Sequence, residues 1–204
     1  AEYGGVRSER TVTVLPVQGK VTAKNAVITD SADEAKAALS KGKRVLFFPD
    51  GLLDDKNSIA GAYCTDFWCY HMFTMISENM GRPTPVGTHG YLIQNSHHAL
   101  DGFASETYST PQWFDIAENS RTMILDGLPI DPVVRTIDNF DRNHNLGTIF
   151  EVKCGGGKLL VCTAPLLKLE SPCAKQLLAS LAEYADSDNF NPSSEVGFGT
   201  LFSE

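Results

Sequence analysis

Few residues in this chain have the type and spacing that bond-breaking chemistry needs. Asp50 is the first: it closes the stretch Lys43–Gly51, where a charged edge leads into Val45, Leu46, Phe47 and Phe48 and stops at Pro49 and Gly51. A carboxylate at the end of such a run can be a nucleophile or a ligand, and an Asp-Gly pair is also ordinary turn chemistry. Cys64 is a second candidate nucleophile, with His71, His89, His97 and His98 as residues that could activate it if the fold brings one alongside. Asp66, Glu106, Asp115 and Glu151 are carboxylates of the kind a glycosidase pairs at about 5 Å. No Gly-x-Ser-x-Gly elbow occurs, so a hydrolase of that type has no nucleophile here.

Metal chemistry has weaker signals. His97, His98 and Asp101 are neighbours, without a His-Glu-x-x-His or Cys-x-x-Cys frame. Asp141 to Asn145 alternates oxygen donors like a calcium loop, but the glycine is displaced to Gly147 and Val152 stands where a bidentate glutamate belongs. No metal and no cofactor is expected, and no residue is assigned as catalytic. Aromatic residues are better placed: Phe67, Trp68 and Tyr70, then Tyr108, Trp113 and Phe114, with Asp, Glu, His and Arg nearby. A sugar cleft uses aromatic faces for the ring and polar groups for the hydroxyls. Trp68 and Trp113 read equally as helix-face core residues, and that is the reading we prefer. The candidate ligand-binding set is therefore Asp50, Asp66, Trp68, His98, Glu106, Trp113 and Arg142.

These residues must be held by a framework, and its clearest part surrounds Asp50. A wholly apolar run of four suits a strand buried on both faces. Before it, Ser31 and Glu34 form a capping box, Ala35, Ala38 and Leu39 a buried stripe, and Gly42 a left-handed stop. With the short strand Ala26–Thr29, this is a strand–helix–strand unit, and such sheets bind ligands beyond the carboxyl ends of their strands. Thr11–Leu15 favours another strand. Residues 52–63 read as a polar loop, and a helix follows from Thr65 or Asp66 with Cys69, Met72, Phe73, Ile76 and Met80 at helical spacing. Tyr91–Ile93 is a short strand, Ala99–Phe103 one helical turn, and Pro111 opens a helix with Trp113, Phe114 and Ala117 on its apolar side.

Three strands come next, Arg121–Leu125, Val133–Asp138 and Leu146–Lys153, and Gly155, Gly156 and Gly157 turn the last into Lys158–Thr163. A strand follows this glycine loop, so it lacks the helix amides of a phosphate cradle. Ser171 and Pro172 start a final helix with Leu177, Leu178, Leu181 and Tyr184 on one face. The pattern predicts a three-layer αβα sandwich, mostly parallel and ending in an antiparallel hairpin. Residues 1–25 form an arm, 26–186 the α/β domain and 187–204 a tail.

Composition narrows the function. With 204 residues, 42% hydrophobic and 21% charged, the chain can bury a real core. A net charge of −8 argues against nucleic acid and anionic membranes, which require a basic face. No apolar run reaches the roughly 20 residues that span a bilayer, and residues 1–5 lack the regions of a signal peptide. Five cysteines leave at least one unpaired. Cys154 and Cys162 face across the hairpin, where buried free thiols are preferred and a bridge is the alternative.

Several stretches, agreeing in order, carry a family resemblance. They are Gly42–Asp50, Asp66–Phe73, His98–Asp115 with its Glu106, Arg121–Pro129, Ile137–Glu151, Gly157–Cys162 and Ser187–Pro192. Across most of residues 20–196 the chain resembles the carboxyl-terminal domain of bacterial family 2 glycoside hydrolases, the β-galactosidase-like enzymes of Bacteroides-type bacteria. The resemblance implies a fold of the flavodoxin-like, class I glutamine amidotransferase-like kind. Asp50 stands where such a fold would carry its nucleophilic cysteine, which removes the basis for amidotransferase chemistry. In the parent enzymes the catalytic carboxylates lie in an upstream barrel of about 250 residues. The implied role is a non-catalytic accessory module of a carbohydrate-degrading hydrolase. Its expected partners are the upstream domains, with carbohydrate and a second copy as further candidates. A periplasmic or secreted location is implied, the cytoplasm staying open. A stand-alone hydrolase using Asp50 or Cys64 with a loop histidine, and a carbohydrate-binding domain proper, are the alternatives.

Overall fold

The computed structural model describes residues 2–3, 6–7, 14–61, 70–81, 88–139 and 142–202. Two short strands, β1 (Glu2–Tyr3) and β2 (Val6–Arg7), form an antiparallel ribbon. The remaining eight build one sheet: β3 (Ala26–Thr29), β4 (Arg44–Phe47), β5 (Ser58–Ala60), β6 (Gly90–Ile93), β7 (Arg121–Ile124), β8 (Val134–Ile137), β9 (Leu146–Cys154) and β10 (Gly157–Cys162). The fold is mixed α/β, as the strand and helix signals require.

The sheet is largely antiparallel, which corrects the expectation of a mostly parallel one. Only β3–β4 and β4–β10 pair parallel, whereas β10–β9, β9–β7, β9–β8, β7–β5 and β8–β6 pair antiparallel. Connection length is the reason. Parallel neighbours need a crossover of a dozen or more residues, usually helical. Helix α1 (Ala32–Leu39) supplies one between β3 and β4, but the links after β7, β8 and β9 are too short. The nine-residue β9 carries the architecture, pairing with β10 and β7 along one side and β8 along the other, with a bulge between Val134 and Arg135.

Strand β4 is buried on both faces, as its apolar run dictates. Val45 and Phe47 join the cluster under α1 and the short helix α5 (Phe198–Phe202), while Leu46 and Phe48 join the opposite cluster. That second cluster is covered by α4 (Pro172–Asp186) and by α3 (Phe114–Glu118), which a 3-10 turn at Pro111–Trp113 leads into. Each fully buried Leu or Phe in these layers contributes about 1.5–3 kcal/mol.

Caps behave as the sequence predicts, with one rerouting. The Ser31 hydroxyl accepts the Glu34 N–H at 3.4 Å, but the Glu34 carboxylate takes the Thr29 hydroxyl at 2.5 Å. Thr29 in turn accepts the Ser31 N–H at 3.0 Å, so the box closes through a threonine. Gly42 adopts φ +70° and ends α1. At Gly157 the β9–β10 turn meets the Lys43 carbonyl so closely that a side chain has no room.

The chain end is locked to the sheet. Arg44 donates to the Asp186 and Ser187 carbonyls at 2.7 and 2.8 Å, which caps α4, and to Asp188 at 2.9 Å. The Asp186 carboxylate accepts the Lys24, Asn25 and Ala26 amides leading into β3. Phe190, Val196 and Leu201 are buried, so residues 187–202 are part of the packing.

Other expectations change. Strand β5 lies within the stretch read as a polar loop, held by Arg121 of β7, whose guanidinium donates to the Ser58 hydroxyl and carbonyl. Helix α2 is described over Tyr70–Asn79; Met72 and Ile76, and Met80 just after it, were expected at helical spacing and are exposed. Of the expected strand at Thr11–Leu15, Thr11, Val12 and Thr13 lie outside the described residues, and Val14 and Leu15 belong to no strand. No helix among the described residues is long and apolar enough to cross a membrane.

Candidate functional site

Asp50 begins a 3-10 turn after Pro49, at the carboxyl end of β4. Its carboxylate forms a 2.6 Å ion pair with the Lys168 ammonium, and both groups are substantially exposed. That contact raises the Lys168 pKa, chiefly through the hydrogen bond the ammonium donates to Asp50. No histidine approaches Asp50 among the described residues, so its surroundings are those of a surface ion pair. Cys64, Asp66, Phe67 and Trp68 lie outside the described residues, and the cysteine–histidine reading lies there with them.

Trp113 is not a stacking platform. It is fully buried, edge-on to Tyr91 at 5.4 Å and to Phe103 at 4.8 Å, and its Nε1–H donates to the Ser105 hydroxyl at 3.0 Å. Arg142 is held away from a ligand role as well. Its Nε and Nη2 both donate to Asp138 Oδ1, at 3.1 and 2.7 Å, and the Asp138 side chain is 1% exposed. His98 pairs with Asp101 at 2.9 Å, both exposed, beside a cavity of about 280 Å³ bounded by Ser180, Glu183 and Asn189.

Glu106 is the candidate with open surroundings. It borders a groove of about 760 Å³ with Tyr108, Ser109, Thr110, Gln112 and Cys173. The groove floor hangs on Trp113, since the Ser105 hydroxyl accepts a hydrogen bond from the indole N–H and donates one to the Glu106 carbonyl at 3.0 Å. Tyr108 is 61% exposed, an unusual surface position for a tyrosine ring. The Gln112 side-chain amide is fixed by a 2.6 Å bond to the Ala104 carbonyl. Thr110 Oγ1 is buried without a partner among the described residues, a state that buried hydroxyls rarely keep. An aromatic face beside a carboxylate and an oriented amide can hold a polyhydroxylated ligand. Residue type pointed to Glu106 and, separately, to Tyr108 among the aromatic residues; the Pro111 helix start, which exposes the preceding loop, was the signal available for joining them.

Sequence reasoning named Glu151 and His97 separately and missed their common setting. Tyr184 of α4 donates to Glu151 Oε2 at 2.7 Å and meets the His97 ring edge-on at 5.3 Å. Burial raises the Glu151 carboxyl, opposed by the Tyr184 bond and Lys158. Burial likewise lowers His97, helped by His98 and opposed by Asp101. A raised folded-state pKa means that the native chain binds more protons than the unfolded one between the ordinary value and the raised one. Stability therefore increases as pH falls through that window. Glu151→Gln should abolish this part of the pH dependence. Chemical denaturation at a series of pH values, wild type against variant, checks it; parallel curves would refute the assignment.

The described cysteines, Cys154, Cys162 and Cys173, are free thiols. Cys154 sits opposite Gly157 and Cys162 opposite Ile149, at different ends of the hairpin, so no bridge joins them. Burial pushes the Cys162 thiol up to about 12, which leaves it inert. Among the described residues no group of three His, Cys, Asp or Glu is placed to hold a metal ion. A family model described as a domain of unknown function, DUF8487, matches residues 26–203. No curated protein matches the chain.

Proposed function

We propose, for a chain that belongs to the DUF8487 family of domains of unknown function, the role of a non-catalytic accessory module in a larger hydrolase of the family 2 glycoside hydrolase kind. It packs against upstream domains and contacts glycan weakly through the groove of Glu106, Tyr108 and Gln112. The finer fold reading belongs to the same proposal: helices on both sheet faces and the parallel β3–β4–β10 core support a three-layer, amidotransferase-like origin. A periplasmic or secreted setting goes with the parent enzyme.

One observation carries the glycan reading. Tyr108 presents an exposed ring beside the Glu106 carboxylate, which has no hydrogen-bond partner among the described residues, in a groove of small-ligand size. The engagement of Asp50 by Lys168 supports the non-catalytic part. Calorimetry of the chain against a panel of β-linked oligosaccharides tests it. At least one glycan should bind with a millimolar Kd, about −4 kcal/mol. Tyr108→Ala should weaken that binding at least about tenfold while shifting stability by no more than about 0.5 kcal/mol, as for an exposed side chain. Silence across the panel, or a Tyr108→Ala variant that binds as wild type, would remove the groove from the proposal. Turnover of aryl glycosides by the chain would remove the non-catalytic claim.

A further inference from the structure

A cavity of about 470 Å³ lies between the end of β6, the β7–β8 connection, β9 and the Ser193–Ser194 segment. It has the volume of a small-molecule site, and the groove proposed above does not use it. Its lining combines the apolar Leu128, Ile130 and Val133 with the polar Gln94, His97, Asp131 and Glu151. The polar groups are oriented by the fold. Tyr184 fixes Glu151 through Oε2, and His97 Nδ1 accepts the Ala99 N–H at 3.2 Å, which places the imidazole proton on Nε2. Gln94 donates its amide to Asp131 at 3.1 Å and to the Pro132 carbonyl at 3.0 Å. Glu151 Oε1, the side-chain Oε1 of Gln94 and His97 Nε2 keep no hydrogen-bond partner among the described residues.

Acceptors outnumber donors among these polar groups. The two carboxylates are faced by no lysine or arginine among the lining residues. Asp131 Oδ1 is paired with Arg135 at 3.0 Å, whereas Lys158, the cation that acts on Glu151, is drawn to the Phe190 carbonyl at 2.8 Å. A half-buried carboxylate in this state lacks a full counter-charge, and a cation entering the cavity would supply one. We infer that the cavity binds a small organic ammonium ion, its charge held by Glu151 Oε1 and Gln94 Oε1 and its apolar body set against Leu128, Ile130 and Val133.

The test titrates the full chain at constant pH and matched ionic strength, which holds screening fixed. The probes are cyclohexylammonium and cyclohexanol, its neutral counterpart, followed by calorimetry and by the His97 imidazole NMR signals. The ammonium should bind in the millimolar range and shift His97, with cyclohexanol at least about tenfold weaker. Glu151→Gln keeps the shape and can still accept from Tyr184, so it should fold and lose about tenfold in ammonium affinity. Gln94→Met, on a different segment, should also weaken the ammonium and serves if the first variant does not fold. Equal binding of cyclohexanol overturns the inference. So does unchanged ammonium affinity in a folded Glu151→Gln or Gln94→Met variant, or no heat and no His97 shift at about 10 mM ammonium.

Discussion

Replacing Trp113 by alanine is expected to remove about 3–5 kcal/mol of folding stability, the range for emptying a buried aromatic site. The side chain is fully buried and sits where Tyr91 and Phe103 both meet it edge-on. Truncation loses that contact and leaves the Ser105 hydroxyl without its donor. Domains of this size have about 5–15 kcal/mol in total, so the variant should sit near the edge of folding. Urea denaturation checks it: the midpoint should fall with the slope unchanged. Trp113→Phe separates packing from positioning. Most of the apolar volume survives, so stability should recover much of the loss, but Ser105 and with it the Glu106 side of the groove lose their tether. Glycan affinity should then drop more than stability does. If Trp113→Ala were as stable as wild type, the indole would have to be a surface platform after all.

How far the sequence was legible follows from the range of each signal. The β3–α1–β4 unit could be read residue by residue, because its cap, its buried stripe and its left-handed glycine are local features within twenty residues. The β9–β10 hairpin was legible for the same reason, three glycines between two apolar runs. Strand direction was not, since whether β10 lies beside β4 depends on a contact over a hundred residues apart. Candidate residues divide in the same way. Trp113 and Arg142 have the residue types of a binding site, but burial and the Asp138 carboxylate, both set by tertiary structure, give them other work. Glu106 could be named from type alone, and only the exposure of Tyr108 made a groove of it. Glu151 and His97 come together through Tyr184, a residue of α4 that spacing had assigned to a core stripe.

Asp138→Ala is expected to cost about 3–5 kcal/mol, the penalty for leaving a buried charge without its partner. The carboxylate organises the described part of the β8–β9 connection. Oδ1 accepts the Asn139 N–H at 2.8 Å and both Arg142 donors, and Oδ2 accepts the His144 N–H at 3.0 Å. Alanine strands a guanidinium that is only 24% exposed, together with two amides. The effect should reach beyond the loop. His144 and the Asn145 amide contact Asp126, and Asn145 bonds Arg135, so the loop joins the start of β9 to β7 and β8. Removing Arg142 as well should be less damaging than the two single losses summed. Asp138→Ala combined with Arg142→Met takes away the stranded cation along with its partner, and a double-mutant cycle should return a coupling of about 1–3 kcal/mol. A coupling near zero would mean that the loop is held by its backbone amides alone, and that the arginine is available to a ligand as its residue type first suggested.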